Sequence, residues 1–138
     1  MGSILTKNPV HKIDKTLILE LKCNKIKDIF ECIELIHSKY PHNLLVNQSE
    51  FDDIFSSLLS DTEPIFKQLC EKVDKREGKQ EECADIYESL ACFTFFSGES
   101  YETKIAFIFR LFDFDCSDTI ELSELILSVQ CVVRSLCK

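Results

Sequence analysis

The sequence contains no tryptophan, one methionine, and only three glycines and three prolines among its 138 residues. Glycine and proline build most of the turns between short strands, so their scarcity argues against a chain of many strands. No run of 18 apolar residues is present, and the N-terminus lacks the apolar stretch of a secretory signal. The composition therefore predicts a helical globular protein inside the cell, cytoplasmic or associated with a membrane or the cytoskeleton.

Basic residues are also scarce relative to acidic ones, and the net charge is therefore −8. This balance makes nucleic acid an unfavourable partner, since a face that binds phosphates must be basic. The charge is uneven, however. Residues 1–27 carry six lysines against two acidic residues, whereas residues 28–138 carry ten basic and 22 acidic ones. We expect a basic N-terminal arm or helix (1–27) on an acidic domain (28–138).

The sequence also lacks the common motifs of zinc sites and of catalytic sites. The eight cysteines include no C-x-x-C pair, which a zinc cage normally needs, so reduced thiols are the simpler interpretation. The three histidines do not form metal-ligand spacings, and the sequence has neither a glycine-rich phosphate loop nor a nucleophile elbow. We therefore predict that the protein is not an enzyme and has no catalytic residues.

The N-terminus carries one targeting pattern. Gly2, followed by a hydroxyl residue at Thr6, fits the pattern for N-myristoylation once Met1 is removed. A chance match or a cloning remnant is the alternative. A single acyl chain holds a protein to a membrane only marginally, so the lysines of the arm would have to supply a second signal for peripheral membrane contact.

Apolar residues recur at helical spacing over most of the chain. One such pattern runs from Lys12 to Ile36, and a second helix is expected from Pro64 through Val73. A charged stretch follows, and further helices are expected from Ile86 to Ser97, over 101–112 and over 121–137. No alternating strand pattern of useful length appears. The repeated unit is a short helix followed by a polar loop.

The sharpest pattern is the stretch from Asp113 to Glu124, which is rich in oxygen ligands. A calcium ion takes six to eight oxygens at about 2.3–2.6 Å, and a twelve-residue loop supplies them from alternate positions. The predicted metal ligands are five side chains and one backbone carbonyl (that of residue 119): Asp113, Asp115, Ser117, Thr119, Glu121 and Glu124. Glu121 would act directly or through water, and Glu124 would be bidentate. Ca²⁺ is the expected ion, with Mg²⁺ as the alternative.

This loop and its flanks resemble the EF-hand superfamily of calcium-binding proteins. The entering helix ends at Phe109–Phe112, and the exiting helix begins at Leu125. The stretch from Ser97 to Ile126 is similar to the third hand of recoverin-like and calcineurin-B-like sensors, which also combine a leading Gly2 with four hands. The resemblance implies an all-α fold of paired helix–loop–helix units, with scope for a short β-ladder between paired loops.

One residue departs from the family pattern. The sixth loop position is normally glycine, because the backbone there is left-handed, but this chain has Asp118. Aspartate tolerates that conformation better than most residues. The cost should still be on the order of 1 kcal/mol. A loop that keeps its shape without binding metal is therefore the alternative interpretation.

Two earlier hands are expected to have lost their ligands. A repeat of roughly 36–38 residues places the second loop at Glu77–Glu88, where Lys79 would point an ammonium group at the ion. Alternatively, that loop begins at Asp74 and is three residues too long. The first loop would be Lys39–Glu50, whose front half has no ligand set. The three predicted hands span residues 30–60, 64–96 and 101–137.

The last helix has no obvious partner within the chain. Its apolar residues form a stripe that is expected to bind a target protein or assembly: Leu125, Ile126, Val129, Val132, Val133 and Leu136. Three explanations remain open at this point. The chain is a fragment that lacks a fourth hand, or it docks this face on a partner, or it dimerises through it.

Two functions follow from the resemblance. The first is a calcium sensor or adaptor that regulates a partner protein through a calcium-dependent apolar groove, with an affinity on the order of 10⁻⁷–10⁻⁵ M or weaker. The second is a constitutive structural subunit of a larger cytoskeletal or ciliary assembly, in which the hand is vestigial or permanently occupied.

Overall fold

The computed structural model describes residues 14–74 and 78–137, which contain seven helices and three short strands. The helices are α1 (Lys15–Lys22), α2 (Ile26–Lys39), α3 (Gln48–Phe55), α4 (Glu63–Leu69), α5 (Ile86–Phe96), α6 (Tyr101–Phe112) and α7 (Leu122–Cys137). The strands are β1 (Leu45–Val46), β2 (Glu71–Asp74) and β3 (Gln80–Asp85). None of the described helices combines the length and the apolar character that crossing a membrane requires. The predicted myristoylation site at Gly2 lies outside the described residues.

The predicted helical character of the chain is confirmed, and three helices have the expected bounds. α5, α6 and α7 match the expected segments to within one residue. Local capping explains this agreement. The Asp85 side chain accepts a hydrogen bond from the Glu88 amide (2.9 Å), and Ser100 accepts one from the Thr103 amide (3.3 Å). Such caps depend on residues only three apart, which the sequence displays directly.

Two predicted helical segments are shorter than expected. The segment from Lys12 to Ile36 is broken between α1 and α2, where the Asn24 side chain turns inward and donates to the Leu58 carbonyl (2.9 Å). The helix that begins near Pro64 ends at Leu69, and Val73 lies in β2 instead. The prediction was wrong at Val73 because apolar spacing alone does not show where the helix ends and pairing with another strand begins.

β2 and β3 form an antiparallel hairpin that the sequence did not reveal. Glu71 lies opposite Cys83, and Asp74 lies opposite Gln80. β2 is largely charged and exposed, and the first half of β3 is polar and exposed or half-buried, so neither strand shows the alternation that normally predicts a strand. Only the inner end of β3, at Cys83 and Ala84, is buried. The pairing therefore depends on contacts between strands and on that buried end.

β3 also pairs with β1, and this short ladder joins two regions far apart in sequence. Leu45 lies opposite Asp85, and Val46 lies opposite Ala84. Both Val46 and Ala84 are fully buried. The ladder therefore joins the segment before α3 to the segment before α5, and it fixes these two helix starts side by side.

The hydrophobic core is centred on phenylalanine. Phe51 lies against Phe55 and Phe66, with ring centroids 4.7 and 5.3 Å apart, and Phe55 stacks on Phe93 at 4.8 Å. Leu17 and Leu21 of α1 belong to the same core. All eight cysteines are free thiols, and burial raises the pKa of Cys92 to about 12.

Candidate metal centre and apolar groove

The acidic loop (Asp113–Glu124) connects the end of α6 to the start of α7. Asp113 organises its first half, because one carboxylate oxygen accepts from the Ser117 amide (3.1 Å) and the other from the Asp118 amide (3.0 Å). Phe114 packs beside the Tyr87 ring of α5, with centroids 5.5 Å apart. The loop is thus shaped by its own hydrogen bonds and held against α5 by an aromatic contact.

Glu124 joins the two ends of this loop. It lies in the first turn of α7 and is 9% exposed. One carboxylate oxygen accepts from the Phe114 amide (3.2 Å), and the other accepts from the Glu121 amide (3.0 Å). Because both oxygens are held by backbone groups, the carboxylate has a defined orientation toward the loop interior.

Three carboxylates converge at this point. One carboxylate oxygen from each of Asp113, Asp115 and Glu124 lies within 4.8 Å of the other two. Within residues 14–74 and 78–137, this is the one group of three or more metal-ligating side chains. Hydrogen bonds from Ser117, and secondarily with Asp113, hold the pKa of Asp115 below its ordinary value. The group is therefore suited to a cation that prefers oxygen ligands.

The other three predicted ligands take different places. The Ser117 hydroxyl donates to the Thr119 carbonyl (3.0 Å), so the predicted fifth-position and seventh-position oxygens are adjacent. The backbone of Glu121 contacts Glu124, but the Glu121 carboxylate is exposed and lies outside the converging group.

Asp118 has the left-handed backbone that the loop pattern requires. Its φ is +58°, and Cys116 two residues earlier has φ +53°. Neither residue is glycine, so both carry the steric cost of a Cβ atom in this region. The backbone strain is local to the acidic loop. It is offset there by the hydrogen bonds that the Ser117 and Asp118 amides donate to the Asp113 carboxylate.

We expect Asp118→Gly to raise the free energy of unfolding of the metal-free protein by about 0.5–1 kcal/mol, because glycine adopts this backbone without strain. Asp118→Asn is the matched control, since it removes the same charge but keeps the Cβ atom. Urea denaturation in chelator measures both variants. A stability of Asp118→Gly at or below that of Asp118→Asn would contradict a backbone origin.

The two regions that resemble earlier loops make structural contacts. Asn47 and Glu50 cap α3 reciprocally, with both hydrogen bonds 3.0 Å long. Asp85 caps α5, and Glu88 is buried and forms an ion pair with Arg134 of α7 at 3.6 Å. Glu77, the first residue of the predicted second loop, lies outside the described residues. A glutamate in the first turn therefore makes a hydrogen bond at the start of α3, α5 and α7, through its amide at α5, through its carboxylate at α7 and through both at α3.

An apolar groove lies between α6 and α7 and has a volume of about 330 Å³. Its lining comes from both helices and from the end of α5: Phe95, Tyr101, Lys104, Ile105, Ile108, Phe109, Leu125, Ser128, Val129, Val132 and Val133. Lys104 is the one charged residue of this lining. Its ammonium group donates to the Phe95 carbonyl (2.6 Å), and burial lowers its pKa, with a further contribution from Lys22.

α7 leaves its apolar stripe exposed because it packs through a different face. Its buried residues are Glu124, Ser128, Cys131 and Ser135, and this polar, small-residue face lies toward the rest of the molecule. Leu125, Val129, Val132 and Val133 of the predicted stripe line the groove. Ile126 is 49% exposed, and Leu136 is half-buried; neither belongs to the lining.

The sequence reasoning missed the contribution of α6 to this groove. Tyr101, Ile105 and Phe109 recur every fourth residue and are 77%, 59% and 45% exposed. That spacing places them on one helix face, so the signal was present in the sequence. The role of Glu88 was also missed, and no local signal predicts its pairing with Arg134, 46 residues later.

Comparison with family models, with curated proteins and with solved structures gave no match to this chain. The interpretation of the acidic loop therefore depends on its own residues and geometry.

Proposed function

We propose that the protein is an EF-hand calcium-binding adaptor without enzymatic activity, whose apolar groove docks a protein partner. The observation that carries this proposal is the convergence of three carboxylates within 4.8 Å, on a twelve-residue loop between the two helices that line the groove. The metal site and the apolar surface thus share the same pair of helices.

The oxygen atoms of the loop are ligands of the kind that calcium takes. One carboxylate oxygen from each of three residues lies within 4.8 Å of the others, so a single cation could share them. Ser117 and Thr119 would add a hydroxyl and a carbonyl oxygen, and Glu121 would complete the set through water. Magnesium takes the same kind of ligand at about 2.0–2.1 Å in an octahedron and remains the alternative ion, whereas the twelve-residue pattern of alternate oxygen ligands favours calcium.

A cation bound in the acidic loop would affect the groove between α6 and α7 through Asp113 and Glu124. Asp113 immediately follows α6, and Glu124 lies in the first turn of α7. A cation held by both residues ties the adjacent ends of the two helices and limits their relative movement. The angle between α6 and α7 sets the width of the groove, so metal binding and partner binding are coupled.

A constitutive structural subunit of a larger assembly, cytoskeletal or ciliary, is the second candidate. One observation favours this second candidate. In the first two predicted hands, residues that resemble calcium ligands cap helices or form an ion pair instead. Asn47 and Asp85 cap helices, and Glu88 pairs with Arg134. A protein retained mainly for its shape would show such reuse, with calcium in the third loop bound permanently or not at all.

Calcium titration calorimetry of the full chain, repeated with magnesium and with a dye that reports exposed apolar surface, tests the proposal. We expect one calcium site with a Kd on the order of 10⁻⁷–10⁻⁵ M or weaker, and a rise in dye fluorescence. Binding without a dye response would favour the structural subunit. The absence of binding heat up to about 1 mM calcium would overturn the metal assignment.

A further inference from the structure

Three lysine side chains gather where α5 ends and α6 begins. Lys104 donates to the Phe95 carbonyl (2.6 Å) and Lys25 donates to the Gly98 carbonyl (3.0 Å), so the same connection holds both ammonium groups. Lys22, in the last turn of α1, is close enough to lower the pKa of Lys104, although burial is the larger cause. Lys22, Lys25 and Lys104 therefore form a lysine cluster, drawn from α1, from the residue before α2 and from α6.

This lysine cluster lacks a carboxylate partner in the part of the chain that the structure describes. Within residues 14–74 and 78–137, none of its three lysines forms an ion pair. The carboxylate of Glu99 acts on the charge of Lys104, but one of its oxygens accepts a hydrogen bond from the Ile26 amide (3.3 Å). An ammonium group has three N–H donors, and the carbonyl contacts of Lys25 and Lys104 use one each. The remaining donors can bind an anion.

The lysine cluster lies at one end of the apolar groove. Lys104 belongs to the groove lining, and its ammonium group lies over the Phe95 and Tyr101 rings at 5.9 and 5.8 Å. Asp113, where the acidic loop begins, comes nine residues later, about 14 Å further along α6 at a helical rise of about 1.5 Å per residue. That separation exceeds the Debye length of about 8 Å at physiological salt, so the loop carboxylates do not cancel the attraction of the cluster for an anion.

We propose that the partner docked by the apolar groove is an amphipathic helix with acidic residues at one end of its apolar stripe, and that these acidic residues bind the lysine cluster. A helix docks in a groove through apolar residues at i, i+3, i+4 and i+7. Lys104 is the one charged residue of the groove lining, so an acidic group at that end of the helix meets it directly. This inference rests on the proposed function, because it names the chemistry of the partner that the groove docks.

The shape and the charge of this surface favour an acidic helix over two other occupants. The apolar residues enclose a groove of about 330 Å³ between α6 and α7, which the side chains of a helix can enter. An anionic lipid surface would contact the rim of the groove and leave its interior unfilled. A helix with basic residues at that end would place like charges against the lysine cluster, which opposes its binding.

Fluorescence anisotropy of labelled peptides, titrated with the full chain in about 1 mM calcium, tests this inference. Two helical peptides carry leucines at i, i+3, i+4 and i+7 and differ only in one terminal turn, which consists of glutamates or of lysines. Each peptide is prepared with the charged turn at either end. We expect the better glutamate peptide to bind at least ~10-fold more tightly than either lysine peptide, and we expect this ratio to fall as salt is added.

Substitutions within the lysine cluster test the assignment of the charged contact. Lys104→Gln should lower the affinity ratio at least ~3-fold, whereas Lys104→Arg should retain it because the charge is kept. Lys22→Gln should act in the same direction as Lys104→Gln without altering the groove lining, in case the latter perturbs the end of α5. Lys72→Gln is the matched control, because Lys72 is an exposed lysine of β2 outside the lining, and it should leave the ratio unchanged.

Calcium calorimetry on the same samples separates the two proposals. A protein that binds calcium and binds the glutamate and lysine peptides equally would overturn the acidic specificity and leave the proposed function standing. An affinity ratio that Lys104→Gln and Lys22→Gln both leave unchanged would also overturn this inference. A protein that binds neither calcium nor any of the peptides would overturn both proposals together.

Phosphatidylcholine vesicles with and without phosphatidylserine provide the remaining comparison. We expect the wild-type protein and the two glutamine variants to differ in peptide binding and not in vesicle binding. Binding to the phosphatidylserine vesicles that both glutamine variants weaken, without a preference between the peptides, would assign the lysine cluster to a membrane surface and overturn this inference.

Discussion

We expect Glu124→Gln to lower the calcium affinity proposed for the acidic loop by at least ~100-fold, which corresponds to about 3 kcal/mol. Glutamine removes one negative charge and replaces one carboxylate oxygen by an NH₂ group. In the present structure, both oxygens of Glu124 accept hydrogen bonds, from the Phe114 and Glu121 amides. An NH₂ group would face one of these amides donor to donor, so the variant loses a ligand oxygen and also the orientation of the remaining one.

Glu121→Gln is the matched control for this result. The substitution is chemically identical and lies in the same loop, but the Glu121 carboxylate is exposed and lies outside the converging group. We expect its calcium affinity to fall by less than ~10-fold in the same calorimetric titration, because a group that acts through water contributes less. A larger loss for Glu121→Gln than for Glu124→Gln would reverse the roles assigned to these two residues.

Phe93→Ala destabilises the protein by about 3–5 kcal/mol, a large fraction of the stability of a domain of this size. Phe93 is fully buried and stacks on Phe55, with ring centroids 4.8 Å apart and an interplanar angle of 24°. Removing the ring would leave a cavity between α3 and α5 beside Phe51 and Phe55. Urea denaturation of the metal-free protein measures the change.

Phe95→Ala is the matched control on the same helix. Phe95 is 41% exposed and borders the apolar groove. We expect its removal to cost no more than about 1 kcal/mol, because its ring is partly solvated and leaves no closed cavity. Equal losses for Phe93→Ala and Phe95→Ala would show that α5 is not anchored in the core as the structure indicates.

The acidic loop could be predicted from the sequence because its interactions are local. Asp113, Ser117 and Asp118 contact one another within six residues, and the left-handed backbone at Asp118 follows from the loop pattern. Helix starts such as Ser100 are also local, since a cap and its amide lie three residues apart. The bounds of α6 and the left-handed backbone at Asp118 were expected from the sequence for this reason, since a short stretch of chain contains all the groups involved.

Other predictions failed or were missing because the relevant contacts are distant in sequence. The charged hairpin of β2 and β3 has no alternating pattern, so only its pairing across residues 71–85 defines it as a strand pair. The break between α1 and α2 depends on Asn24 reaching the Leu58 carbonyl, 34 residues away. Helical spacing contains no information about such contacts.

The sequence by itself determined the helices around the acidic loop, the oxygen-bearing side chains within it and the apolar stripe of α7. The tertiary structure decided how these parts are used. It placed Val46 opposite Ala84, paired the buried Glu88 with Arg134, and turned the small-residue face of α7 inward so that Val129 and Val133 remain exposed. The physical reason is that residue identity and spacing define which faces a helix has, whereas packing against other elements selects which face is buried.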